Sequence, residues 1–324
     1  MKVLFIYPAF NRHAQDHPEL LEFVPMNEYL GSPSLGIATM AAVTPGSWEI
    51  EFRDDRLEDA TRPTDADIVA LSFFTPAARR ALAIADHFRA EGKVVVAGGI
   101  FPTAMPDVVA EHVDAVVVGE GEHVWPQALR DFAVGRLRSR YANEASIKLD
   151  DLPLPRLDLY FAQERGTFQP DDYPLQISRG CALACAACIL PLSMTRHQRP
   201  LAVDHVMAQL DVLQSAGKRA CLTEDTSWFP GPRGRGLLEQ VLDRIIESGR
   251  PAPISYVGIS MPMILSTPMS FLQKAREAGI DMFYLVGGFD PITRGAFTTD
   301  NPRMRQKAID AVQKSLDAGI EPYT

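Results

Sequence analysis

Cysteine is scarce, four in 324 residues, and no secretory leader pattern opens the chain, so a disulfide-braced secreted fold is disfavoured and a reducing, cytoplasmic setting is expected. No window reaches the roughly 18 to 20 consecutive apolar residues that a membrane span needs. Positive charge is also in deficit. Lys and Arg number 32 against 41 Asp and Glu, a formal net charge of -9, which speaks against nucleic acid as a partner because backbone binding rests on clustered cations. A local basic stretch, Arg233 and Arg235, reads first as a solvated loop and second as a contact for an anionic substrate. No Ser-His-Asp or Cys-His arrangement recommends hydrolysis, and no GxxxxGK[ST] phosphate loop is present. What the chain does have is core material: 46% hydrophobic and 23% charged residues suit two soluble domains of ordinary size.

The few cysteines are not scattered. Cys181, Cys185 and Cys188 fall in the run Arg179-Gly180-Cys181-Ala182-Leu183-Ala184-Cys185-Ala186-Ala187-Cys188, a CxxxCxxC array. Three thiolates on one short loop can hold three irons of a 4Fe-4S cluster and leave the fourth iron open to an outside ligand. A structural zinc site would want a fourth protein ligand. Only Cys221 is left, inside an apolar run where a small buried side chain is the plainer reading.

Residues 1 to 135 alternate short β-rich runs with helical ones, the pattern of a parallel sheet covered on both faces. The strands expected are Lys2 to Tyr7, Trp48 to Arg53, Asp67 to Phe73, Lys93 to Ala97 and Asp114 to Val118. Helices are expected near Leu35 to Val43, Pro76 to Glu91, Met105 to Glu111 and Val124 to Phe132. A doubly wound sheet of this kind binds ligands at the C-terminal ends of its strands, where strand order reverses. Loops at those ends include Pro8-Ala9-Phe10, Ser72-Phe73-Phe74-Thr75, Gly98-Gly99-Ile100 and Gly119-Glu120-Gly121-Glu122. Residues 136 to 173, with the proline-rich phrase Leu149 to Leu157, read as an extended linker. Alternation resumes over 174 to 324, with strands expected at Leu175 to Ser178, Arg219 to Thr223, Ile254 to Ile259 and Met282 to Val286.

The cysteine array, preceded by Ile177-Ser178-Arg179-Gly180-Cys181, resembles that of the radical S-adenosylmethionine superfamily, where this segment is the first barrel strand and the start of the cluster loop. One departure is Ala187, where the family usually has an aromatic residue beside the adenine. The Gly98-Gly99 pair and the Gly119-Glu120-Gly121-Glu122 tetrad make the first domain similar to the cobalamin-binding domain of a large subgroup. No DxHxxG occurs, so the resemblance implies a cobalt without a histidine ligand. It also implies the fold: α/β, a doubly wound, Rossmann-like cobalamin-binding domain followed by a partial TIM-type (βα) radical-SAM barrel.

The resemblance further implies three cofactors: a 4Fe-4S cluster on Cys181, Cys185 and Cys188, S-adenosylmethionine and cobalamin. S-Adenosylmethionine would meet Glu224 and Asp225, whose carboxylates suit its ammonium group, together with Ser260, Gly287, Gly288 and Asp290. Cobalamin would meet Ser72, Phe73, Phe74, Gly98, Gly99, Gly119 and Glu120. Arg196 and Arg199 follow the cysteines and suit either the reduced cluster or a solvated approach to the next helix. The implied partners are a small-molecule substrate and an electron donor for the cluster. The implied reaction is methyl transfer to an unactivated carbon of a lipid, pigment or natural product. A radical cyclase or rearrangement enzyme, and a non-catalytic cobalamin-binding or partner protein, are the alternatives. Family barrels have six strand-helix units, whereas this chain stops in a fifth strand at Thr324, so truncation of a longer protein is expected, the alternative being an exposed sheet edge that something must cover.

Overall fold

The computed structural model describes residues 1–10, 33–143, 146–164, 172–181, 189, 197–222, 232–249, 254–285 and 301–323. The chain forms two compact units, residues 1–170 with 189–195, and residues 171–188 with 196–324.

In the first unit, β1 (Lys2–Tyr7), β2 (Glu49–Asp54), β3 (Ile68–Ser72), β4 (Val94–Gly98), β5 (Ala115–Val118) and β6 (Arg140–Ala142) make one parallel sheet in the order β2-β1-β3-β4-β5-β6. The near-continuous apolar runs of β1, β3 and β4 are what burial on both faces demands. Helices α1 (Leu35–Val43), α2 (Ala78–Ala90), α3 (Ile100–Ala104), α4 (Pro106–Ala110) and α5 (Val124–Ala133) make the crossovers. One core packs Leu4, Ile6, Val69, Leu71 and Val95 of the sheet against Ile84 and Phe88 of α2. Such side chains contribute about 1.5–3 kcal/mol each on full burial. The strand order reverses between β1 and β3, which fixes the crevice at their C-terminal ends.

Part of the stretch expected to be a linker belongs to this unit. Arg140–Ala142 pairs with β5, and Tyr141 is 2% exposed, its hydroxyl donating to Asp131 Oδ2 at 2.9 Å. Further on, α6 (Asp158–Phe161) brings Tyr160, fully buried, edge-on to Phe52 at 4.7 Å. The Tyr160 hydroxyl donates to Ser34 O at 3.0 Å, so the segment holds the start of α1 in place. Burial, with Asp54 close by, holds the Tyr160 phenol well above its ordinary range.

In the second unit β7 (Asp172–Leu175), β10 (Arg219–Leu222), β11 (Ile254–Ile259), β12 (Met282–Leu285) and β13 (Glu321–Tyr323) form a parallel sheet in the order β13-β12-β11-β10-β7. Among the described residues this sheet is open, with β13 and β7 at its edges, and barrel closure is not seen. Helices α7 (Val203–Ser215), α8 (Pro232–Glu247), α9 (Met261–Ser266), α10 (Met269–Glu277) and α11 (Pro302–Asp317) link the strands. The expected first strand is displaced toward the N-terminus. The chain leaves the sheet after Leu175 because Gln176 O accepts from Gln209 Nε2 at 3.3 Å and Ile177 O from Leu201 N at 2.9 Å. Ser178–Arg179 (β8) pairs instead, antiparallel, with Arg199–Pro200 (β9). No described helix is long and apolar enough to cross a membrane.

Candidate functional site

At the C-terminal ends of β3, β4 and β5 the backbone is built low. Gly99 follows β4 with φ +101, and a Cβ there would lie 2.9 Å from Phe73 O and 3.1 Å from Ser72 Oγ. The loops are locked in register: Phe73 N donates to Gly98 O at 3.2 Å, and Phe101 N donates to Phe73 O at 3.2 Å. Gly119, after β5, has φ +77 with nothing within 4 Å of a would-be Cβ, so open space lies beside it. Its N–H donates to Thr103 Oγ1 at 2.9 Å. Glu120 O accepts from Asn143 Nδ2, so the stretch that carries β6 also steadies this loop.

Ser72 ends β3 half-buried, and among the described residues its hydroxyl has no hydrogen-bond partner. It lies 3.6 Å from where a Cβ on Gly36 would sit, near the start of α1, and Gly99 crowds it from the other side. An unpartnered hydroxyl between two glycines suits a polar ligand group that comes close to the backbone. Gly36 was not among the residues expected here. It lies 36 positions from Ser72 in sequence, and the helix-start phrase Pro33-Ser34-Leu35-Gly36 was its only signal.

Phe73 turns its ring away from solvent. Its ring is 3% exposed, belongs to the core and tilts against Phe101 at 5.8 Å, while its backbone N–H and carbonyl are both engaged. Its ring packs in the core. Phe74 is half-buried and faces Phe10 of the loop after β1, ring centroids 5.5 Å apart.

In the second unit Cys181 follows Gly180, which has φ +89, and is 7% exposed with its thiol outside any disulfide. The residues before it are pinned from two sides: Arg179 Nε donates to Gln176 Oε1 at 2.7 Å, and Gln198 Nε2 to Ser178 Oγ at 3.2 Å. Cys221 sits in mid-sheet on β10, 1% exposed, with Pro174 of β7 and Tyr256 of β11 as its register partners. That is the environment of a small core side chain. Ser260, at the C-terminal end of β11, caps α9 through its carbonyl, which accepts from Met263 N at 3.0 Å, and among the described residues its hydroxyl has no partner. Cys185, Cys188, Arg196, Glu224, Asp225, Gly287, Gly288 and Asp290 lie outside the described residues. The cluster's fit therefore rests on the donor set itself, three cysteines within one short loop that begins at a buried cysteine outside any disulfide.

Residues 32–129 match the family model of the B12 binding domain. The chain is 32% identical over 160 residues to a bacteriochlorophyllide d C-8(2)-methyltransferase of Chlorobaculum tepidum, covering 48% of this chain and 36% of that one. It is 24% identical over 326 residues to an uncharacterized methyltransferase of Synechocystis, covering 99% of this chain and 59% of that one. The chain thus spans 36% and 59% of the length of these two relatives. Among solved structures it resembles the radical S-adenosylmethionine methyltransferase TsrM from Kitasatospora setae with cobalamin and a [4Fe-4S] cluster bound. The TM-score is 0.69 at 14% identity, over 99% of this chain and 68% of that one. At that identity the likeness establishes the fold alone, a first unit of parallel α/β type followed by a second parallel α/β unit.

Proposed function

We propose that the chain is a cobalamin-dependent radical S-adenosylmethionine enzyme that transfers a methyl group to an unactivated carbon of a pigment or natural product. The observation that carries the reading is the pairing, in one chain, of a B12-type sheet whose strand ends are glycines around a Ser72 hydroxyl without a partner among the described residues with a CxxxCxxC loop that starts at a buried cysteine outside any disulfide. The similarity to a bacteriochlorophyllide methyltransferase, and to TsrM, whose structure was also solved with its tryptophan substrate, supports methyl transfer and this substrate class.

When bound, cobalamin would supply the methyl group, and the cluster with S-adenosylmethionine would supply one-electron chemistry. Gly98, Gly99 and Gly119 keep side chains out of the crevice, so a bulky planar ligand can reach the backbone. Ser72 offers a hydroxyl that can both donate to and accept from a polar ligand edge. Cys181, Cys185 and Cys188 would give thiolates to three irons. Glu224 and Asp225 would accept hydrogen bonds from the ammonium group of S-adenosylmethionine, and Ser260 offers a hydroxyl that has no partner among the described residues, at a strand end of the same unit. An electron donor for the cluster completes the set of partners.

The test is anaerobic reconstitution of the chain with iron, sulfide and cobalamin, followed by assay with S-adenosylmethionine for 5′-deoxyadenosine and for methylated products. Cofactor-dependent turnover is the expected result. A chain that binds cobalamin but never takes up iron would be a non-catalytic cobalamin-binding protein instead.

A further inference from the structure

We propose that Asp55 is the positioning residue of the cobalamin crevice, tying the loop after β1 to the helix that follows β3 so that the two walls stand at the separation the ligand needs. The proposal rests on the reading of the first unit as cobalamin-binding.

Asp55 comes directly after β2, a strand that does not border the crevice, yet its side chain is only 2% exposed and its bonds reach both walls. Its N–H donates to Tyr7 O, the last residue of β1, at 3.0 Å. Oδ2 accepts from Ala9 N, in the loop after β1, at 3.0 Å and from Arg80 Nε at 2.7 Å. Oδ1 accepts from Arg80 Nη2 at 2.6 Å and, more loosely, from Ala60 N at 3.4 Å. Arg80 stands in the first turn of α2, just past the Phe73-Phe74-Thr75 loop of β3.

A carboxylate that only capped its own turn would stop at Ala60. This one spends its shorter bonds on the two segments flanking the β1/β3 switch point, 46 and 25 residues away in sequence. The Arg80 interaction is a two-pronged fork, the geometry that fixes direction as well as distance. Phe10 over Phe74 spans the same pair of loops at 5.5 Å, so a ring pair and an ion pair together set the spacing of the walls. Asp55 touches no ligand in this account and acts through Ala9 and Arg80.

The experiment uses the full chain and titrates hydroxocobalamin by absorbance against the unaltered protein, Asp55→Ala, Asp55→Asn and Ile84→Val. Ile84 is fully buried on α2 and serves as a control that loosens packing without touching Asp55. Losing charge-assisted hydrogen bonds at the hinge of the crevice should raise the Kd of Asp55→Ala about tenfold or more. Ile84→Val should lower Tm and leave Kd unchanged, a split that a merely structural role for Asp55 would not produce. Asp55→Asn retains an acceptor for Ala9 N and should fall between; if Asp55→Ala does not fold, the weakened binding is read from Asp55→Asn. Equal affinity in the unaltered protein and the folded Asp55 variants would overturn the proposal while leaving cobalamin binding intact. No binding by the unaltered chain would overturn the cobalamin reading, and this proposal with it.

Discussion

Gly99→Ala should weaken the first unit and its ligand site together. With φ +101 and ψ -168, Gly99 occupies a backbone region essentially reserved for glycine, where another residue costs about 1–3 kcal/mol. The added Cβ would meet Phe73 O at 2.9 Å and Phe73 N at 3.0 Å. Both are main-chain atoms already held by hydrogen bonds to Phe101 and Gly98, so they cannot swing aside as a side-chain tip would. Overpacking of that kind costs about 1–3 kcal/mol more. The sum, about 2–6 kcal/mol, is a large part of a domain stability of about 5–15 kcal/mol. Any relief must come from moving the end of β3, which carries Ser72. Urea unfolding followed by far-UV circular dichroism, with hydroxocobalamin titrated by absorbance, measures both effects. Gly92→Ala is the control, since Gly92 has φ +77 and nothing within 4 Å of a would-be Cβ. It should lose about 1–2 kcal/mol for the left-handed backbone alone and keep its affinity. If Gly99→Ala is no less stable than Gly92→Ala and binds cobalamin as the unaltered protein does, the packing argument at the strand ends is wrong.

Tyr160→Phe should cost about 1 kcal/mol for the lost bond to Ser34 O. Because burial raises the folded-state pKa of Tyr160 above the ordinary value of 10.0, its stabilising contribution is complete below pH 10 and is lost as pH rises from there toward the folded-state pKa. The phenylalanine variant should lack that alkaline loss in pH-dependent melting curves. Cys221→Ala should keep full iron content after reconstitution at a stability cost of about 1 kcal/mol, whereas Cys181→Ala should lose the cluster absorbance; iron loss from the Cys221 variant would revive a four-cysteine metal site. Cob(II)alamin bound to the chain should show no imidazole nitrogen coupling in its electron paramagnetic resonance spectrum, because no DxHxxG supplies a ligand.

What the sequence made legible was whatever lies close together along the chain. The run Lys2–Tyr7 reads as a buried parallel strand because its apolar residues are consecutive, and the glycines at 98, 99 and 119 stand at the strand ends where punctuation suggested. Arg140–Ala142 was missed because three residues with a charged flank carry no periodicity; only Tyr141 turns inward. The proline phrase before Leu157 masked α6, whose place depends on Tyr160 meeting Phe52 and Ser34 from over a hundred residues away. Phe73 was expected at the ligand from the resemblance of its loop, but it continues the inward face of Val69 and Leu71 past the end of β3, and its ring lies in the core. The juxtaposition of Gly36 with Ser72, and the reach of Asp55 to Arg80, are created by the fold and have no local signature.

The most direct test of the central claim is the metal and cofactor content of the full chain after anaerobic reconstitution with iron, sulfide and hydroxocobalamin. The account predicts about four irons per chain in a cluster that requires Cys181, Cys185 and Cys188, together with about one cobalamin per chain whose retention falls when Gly99 is replaced. Zinc in place of iron, or a folded chain that releases all of its cobalamin, would contradict it.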